Sequence, residues 1–154
     1  GEQVSWCDAI QADLGYWQIV VKSIRAAGER LSFCDDGTCR AMVDSGTSLL
    51  GVPSDFGYDL IDMLRYNATR GECGGTLPSL EIELEHFTVV LGPSDIGRPE
   101  FVPDVDEPKA EDEQQHPTCI PMLMFMDLPL PSSPKTLIFG EPVLQKYYTI
   151  FDAL

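Results

Sequence analysis

The sequence predicts an all-β fold, mainly antiparallel, with one or two short helices. Its 12 prolines and 13 glycines in 154 residues punctuate the chain too often for long helices. Between these breaks, apolar and polar residues alternate with a period of two, most cleanly in LEIELEHFTVVLG, residues 80–92. The length and a hydrophobic content of 44% suit one compact unit with a single sizeable core.

The elements follow in chain order. In GYWQIVVKSIRAAGERL, residues 15–31, Trp17, Ile19 and Val21 form one face opposite Gln18, Val20 and Lys22, and Ala27-Gly28 makes a turn. This predicts a strand with the tryptophan face buried. CDDGTC, residues 34–39, encloses a turn sequence that brings Cys34 and Cys39 within disulfide reach. Next, SDFGYDLIDMLRYN, residues 54–67, repeats Leu60, Ile61 and Leu64 at helical spacing. It predicts a helix with Ser54 as N-cap after Pro53 and a first turn weakened by Gly57.

Leu80, Ile82 and Leu84 face inward against Glu81, Glu83 and Glu85, and the pattern resumes with Phe87, Val89 and Leu91. The segment is either a hairpin or one long bent strand. The shared PSDFG and PSDIG stretches at positions 53 and 93 have unmatched surroundings and do not indicate a repeat. Met122, Met124, Phe125 and Met126 read as core more readily than as a substrate-facing patch. In KTLIFGEPVLQKYYTIFD, residues 135–152, two apolar runs at 137–139 and 147–151 read as buried strands separated by a Gly-Glu-Pro break.

Several functions are disfavoured by charge and composition. With 25 acidic against 10 basic residues, the formal charge of -15 repels nucleic acid and anionic membranes. Part of that charge lies in the acidic stretch at residues 104–115, which reads as a solvated loop. No apolar run approaches the ~20 residues that span a bilayer, so a soluble chain without a membrane span is expected.

Five cysteines are present. If Cys34 pairs with Cys39, then Cys73 and Cys119 would close a much longer loop, worth roughly 4 kcal/mol on a chain-entropy account. Cys7 is left as a free thiol, a small buried thiol or half of a bridge to a partner. There is no C-x-x-C pair, and His86 and His116 do not stand at ligand spacing, so no metal is expected. No other cofactor is implied. Asn67-Ala68-Thr69 is an N-glycosylation sequon. Together with two bridges it points to the secretory pathway: an extracellular, lysosomal or vacuolar compartment.

The candidate for chemistry is Asp44, in AMVDSGTSLLG at residues 41–51. A carboxylate at the exit of a buried strand is partly desolvated, while nearby hydroxyls and N–H groups set its pKa. On the local sequence alone an Asx-turn at a strand end is the favoured reading. A serine hydrolase would need a G-x-S-x-G elbow, and the sequence contains none.

A wider pattern bears on that choice. It comprises GYWQI at residue 15, the Cys34 and Cys39 loop, AMVDSGTSLL, LPSLEIEL, Pro93-Ser94, Cys119 and LIFGEPVLQKYYTIFD. These resemble the C-terminal lobe of a pepsin-like (A1 family) aspartic protease. The resemblance implies that residues 1–154 are one lobe of a bilobal acid protease, without its final strand and without the N-terminal lobe.

By the same resemblance Asp44 is one of two catalytic aspartates that share a proton and activate a water. Ser45 locks the two active-site loops together, Gly46 admits the substrate backbone, Thr47 bonds the outer oxygen of Asp44, and Ser48 faces extended substrate. Tyr16 lines the primed side of the cleft, and Gly140 belongs to the apolar-apolar-Gly element beneath the catalytic loop. Departures from the family pattern are Ser45 in place of threonine, Glu141-Pro142 after the glycine, Ile96 in place of an aromatic residue, and the long acidic stretch.

No second Asp-Thr-Gly or Asp-Ser-Gly triplet occurs. The expected function is therefore an endopeptidase lobe that needs an N-terminal lobe or other companion chain to cut a peptide or protein substrate. The alternative is a non-catalytic structural or interaction module.

Overall fold

The computed structural model describes residues 4–68, 71–100, 117–129 and 131–153. The acidic stretch at 104–115 and His116 lie outside the described residues.

A short 3-10 turn at Ala12–Leu14 leads into β1 (Gln18–Val20), followed by the hairpin of β2 (Ser23–Ala26) and β3 (Glu29–Leu31). The hairpin turns at Ala27 and Gly28, both with positive φ, as the Ala-Gly pair predicts. After β4 (Arg40–Val43) come β5 (Leu50–Val52), α1 (Ser54–Leu64) and β6 (Tyr66–Asn67). The acidic alternation resolves as a hairpin of β7 (Leu80–Glu83) and β8 (Thr88–Leu91). There follow α2 (Pro93–Ile96), β9 (Gly97–Glu100), β10 (Thr118–Pro121), β11 (Leu123–Phe125), β12 (Thr136–Phe139) and α3 (Glu141–Lys146).

Three sheets result. The central one has the order β1-β4-β12-β5-β11, the second β3-β2-β7-β8 and the third β6-β10-β9. Most pairings are antiparallel, but β12 runs parallel to β4 and β11 parallel to β5. Ile24, Leu50, Leu60, Leu80, Ile82 and Leu137 are fully buried in one shared core. The two-residue period of β7 and β8 holds for Leu80, Ile82, Leu84, Val89 and Leu91, whereas Phe87 is 38% exposed and lies edge-on to Tyr147.

The face of β1 is corrected at one end only. Val21 is fully buried and Ile19 packs against the core, as the pattern has it, but Trp17 is 37% exposed while its neighbour Gln18 is fully buried. Both edges of Gln18 are occupied, by Met42 of β4 on one side and by the bridging Ile10 on the other. Among the described residues neither atom of its amide has a hydrogen-bond partner. A buried amide without partners costs free energy that an apolar side chain of similar length does not. Gln18→Met is therefore expected to leave stability unchanged or raise it by about 1 kcal/mol. Urea denaturation checks this, and a clear loss of stability would mean that the amide is engaged.

In α1, Phe56, Leu60 and Leu64 are buried at four-residue spacing, while Ile61 is only half-buried. Ser54 is the first helical residue and not the cap. Its N–H and hydroxyl donate to Oδ1 and Oδ2 of Asp127 at 3.1 and 2.8 Å. A carboxylate 73 residues away thus satisfies the helix terminus. The Ser54 hydroxyl, then its N–H, hold Asp127 below the usual carboxylate range. Gly57 has a packing role: a Cβ there would lie 2.5 Å from the ring of Phe125. Helix propensity is given up for close approach to β11.

The end of the chain is a second correction. The run at 147–151 is not a strand; Tyr148 is 92% exposed, and Ile150 and Phe151 are each 44% exposed. The Gly-Glu-Pro break begins α3, because Pro142 falls in the first turn, where its missing N–H costs nothing. Two contacts tie this end down. Tyr147 accepts a hydrogen bond from the Val90 N–H at 2.9 Å, and Lys146 Nζ lies 2.6 Å from Asp95 Oδ2.

Cys34 is bonded to Cys39 and Cys73 to Cys119, and Cys7 is free and half-buried. Lys135 clamps the short loop, donating to Asp36 Oδ2 at 2.6 Å and to the Phe33 carbonyl at 2.7 Å. Lys135 first, then Thr38, lowers Asp36 to about 2. Among the described residues, no helix is long and apolar enough to cross a membrane, and no cluster of three His, Cys, Asp or Glu could hold a metal ion.

Candidate active site

Asp44 is the first residue beyond β4, at the end of the central sheet. Three backbone hydrogen bonds fix the loop that begins there. The Val43 N–H donates to the Trp17 carbonyl at 2.9 Å, the Asp44 N–H to Phe139 at 3.1 Å, and the Glu141 N–H to Thr47 at 2.8 Å. The first sets the chain at Tyr16 and Trp17 alongside Asp44. The other two bind the loop to the end of β12 and the start of α3, so Gly140 lies directly against it.

That contact excludes any side chain at position 140. A Cβ on Gly140 would stand 2.3 Å from the carbonyl oxygens of both Thr47 and Leu49, well inside van der Waals contact. Tyr16, the residues 44–48 and Gly140 are thus brought together at one end of one sheet. Asn67 and the two disulfides lie elsewhere in the fold.

The carboxylate itself is held by its own loop. The Gly46 N–H donates to Oδ1 at 2.9 Å and the Thr47 hydroxyl to Oδ2 at 2.6 Å. Thr47 first, then Gly46, holds Asp44 below the ordinary carboxylate range. Partial desolvation is the expectation that fails here. Asp44 is exposed, as are Ser45, Gly46 and Ser48, because the loop stands clear of the sheet end. Both bonds favour the anion, and burial opposes them only weakly. The arrangement is a turn and a charged carboxylate at once, a preoriented acceptor facing outward.

The sign of the shift sets its consequence. A depressed folded-state pKa contributes stability above the unfolded value, and that contribution is lost as pH falls through the folded one. Thr47→Val is expected to move the Asp44 titration upward, toward the ordinary range. Carboxyl-detected NMR would show it, and an unchanged midpoint would exclude the hydroxyl as the cause.

Sequence reasoning missed the backbone groups of Phe139, Glu141 and Leu49 that position this loop, since carbonyls and N–H groups carry no residue signature. It also missed Asp127 at the helix terminus and the burial of Gln18. The only available pointer to the loop contacts was the glycine in LIFG.

A sheet in which a strand followed by an outward aspartate runs parallel to a later strand followed by glycine and helix α3 defines a pepsin-like lobe. The comparisons carry this to a family. The family model described as Eukaryotic aspartyl protease matches residues 2–154, and the chain belongs to that family. It is similar to Plasmepsin VI of Plasmodium berghei (strain Anka), with 31% identity over 99% of this chain and 33% of that protein. It is also similar to Cathepsin D of Chionodraco hamatus, with 34% identity over 89% of this chain and 33% of the relative. Pepsin A of Sus scrofa matches at 31% identity over 90% of this chain and 33% of its own length. The chain spans about a third of the length of these curated relatives. Family membership supports a function of the aspartic-protease type.

Proposed function

We propose that residues 1–154 form the C-terminal lobe of an aspartic endopeptidase, active when a companion lobe sets a second carboxylate beside Asp44. The observation that carries this reading is the grip on Asp44: both oxygens are bonded by the loop, yet the group faces outward. Asp36 and Asp127 are gripped in a similar way, so the grip takes its meaning from the place of Asp44 in the DSGTS loop of a chain of the aspartyl protease family.

Two close carboxylates cannot both ionise, so the pair carries one proton and titrates as a unit. Within the pair the ionised carboxylate accepts a proton from the attacking water, while the protonated one gives its proton to the peptide carbonyl oxygen. Among the described residues the Ser45 hydroxyl makes no hydrogen bond, which leaves it to engage the companion loop, and Gly46 leaves room for the substrate backbone. Ser48 and Tyr16 stand at the surface where extended substrate would lie, and Gly140 supports the loop from below.

A second feature supports a companion lobe. An apolar groove of about 360 Å³ runs between residues 4–9 and 147–152, lined by Trp6, Trp17, Phe87, Tyr147, Ile150 and Phe151. Five of these six are more than a third exposed. Exposed apolar surface of this kind marks an interaction site. The two disulfides favour an oxidising compartment, so we place the protein in the secretory pathway, either extracellular or in a lysosome- or vacuole-like organelle.

The test is cleavage of a denatured protein at acidic pH by this lobe joined to its companion. Cleavage blocked by pepstatin is expected. Neither cleavage nor pepstatin binding in that joined form would overturn the enzyme reading and leave a structural or interaction module.

A further inference from the structure

We infer that Asn67 carries an N-linked oligosaccharide. The sequon Asn67-Ala68-Thr69 is a sequence condition, and common by chance. What the structure adds is that Asn67 is exposed in the folded chain. Asn67 lies in β6, which among the described residues pairs with β10 alone and so forms one edge of its sheet. Asn67 is exposed, whereas Tyr66 before it is half-buried and Ala68 after it is 2% exposed. The alternation of the strand therefore turns the asparagine outward and its neighbours inward.

The backbone is fixed in that orientation. Asn67 pairs with Thr118, and the Ala68 N–H donates to the Pro117 carbonyl at 2.9 Å. The Asn67 side-chain oxygen accepts from the Thr118 hydroxyl at 3.3 Å. Among the described residues its Nδ2 makes no hydrogen bond, so that nitrogen can be substituted without loss of a contact. Cys119, next to Thr118 in β10, ties this sheet to Cys73. Asn67 thus lies in a part of the fold that an oxidising lumen would stabilise.

The co-reactant is a lipid pyrophosphate-linked oligosaccharide. A bond forms between Asn67 Nδ2 and the anomeric carbon of the first sugar. The bond from that carbon to the pyrophosphate oxygen breaks, the lipid pyrophosphate leaves as an anion, and Nδ2 releases one proton. The glycan then lies over the open edge of β6 and blocks it from pairing with another chain.

The inference rests on the secretory setting proposed above but not on catalysis. The chain is expressed behind a signal sequence in a eukaryotic secretory host, and material with both disulfides formed is selected. Because the host supplies secretory passage, the outcome is independent of the natural compartment and of any protease assay. The expected result is a mobility shift removed by peptide N-glycosidase, with Asn67 converted to aspartate in the tryptic peptide 66–70. Asn67→Gln and Thr69→Ala should each abolish the shift, and Thr69→Ser should retain it. An unmodified peptide 66–70 in disulfide-bonded, secreted material overturns the inference, as does a shift that persists in Asn67→Gln.

Discussion

Asp44→Asn is expected to reduce peptide cleavage by the lobe joined to its companion by roughly a thousandfold or more, the scale of positioned acid–base chemistry. Asparagine preserves the shape of the side chain. Its carbonyl oxygen can still accept one of the two bonds now made by the Gly46 N–H and the Thr47 hydroxyl. What it cannot do is carry charge or take a proton from water. The loss should therefore fall on kcat, with KM for a peptide substrate changed far less. Because the group is exposed, the fold should be unaffected, and far-UV circular dichroism and the denaturation midpoint serve as controls. Activity within tenfold of the wild type would remove Asp44 from the chemistry.

The depressed pKa of Asp44 adds a pH dependence to this expectation. Its ionised form persists below the usual carboxylate range. The acid limb of a pH-rate profile should accordingly move upward in Thr47→Val. The two limbs belong to the pair of carboxylates, since neither titrates alone once the companion is present.

Gly140→Ala carries the largest expected effect on stability, about 3 kcal/mol or more. The added carbon would meet two backbone carbonyls at 2.3 Å, those of Thr47 and Leu49, and backbone cannot rotate away as a flexible side chain can. Relief requires the loop at 44–49 to separate from the end of β12. That movement breaks the Asp44-to-Phe139 and Glu141-to-Thr47 hydrogen bonds together. Residual folded protein should therefore have a displaced Asp44 and lose activity as well as stability. Gly74→Ala is the matched control: a Cβ there meets nothing within 4 Å, and the change should stay within about 0.5 kcal/mol. Urea denaturation of the two variants decides the point, and equal midpoints would show that the contact at Gly140 is not a constraint.

Some of this was legible in the residues themselves. The Ala27-Gly28 turn, the inward faces of β7 and β8, and α1 followed from patterns confined to a few neighbouring positions. Trp17 and Gln18 show where such patterns stop. Period two assigns residues to two faces but does not say how far the cover extends: Ile19 and Val21 lie against the core, yet at the start of β1 it is Gln18 and not Trp17 that is buried. The run at 147–151 fails for a related reason. An apolar run describes what a segment would bury if a partner were supplied, and among the described residues most of it remains exposed.

The sequence by itself determined the fold class, the α1 helix, the short disulfide loop and the position of Asp44 on a turn after a buried strand. Each depends on local spacing, turn chemistry or side-chain identity, all of which are written residue by residue. Only the tertiary structure decided that Phe139, Glu141 and Gly140 hold the Asp44 loop, that Asp127 closes the start of α1, and that Asp44 itself is exposed. Those contacts join positions dozens of residues apart through backbone groups common to every residue. Solvent exposure likewise depends on how the sheets come to lie together, which no single stretch of sequence encodes.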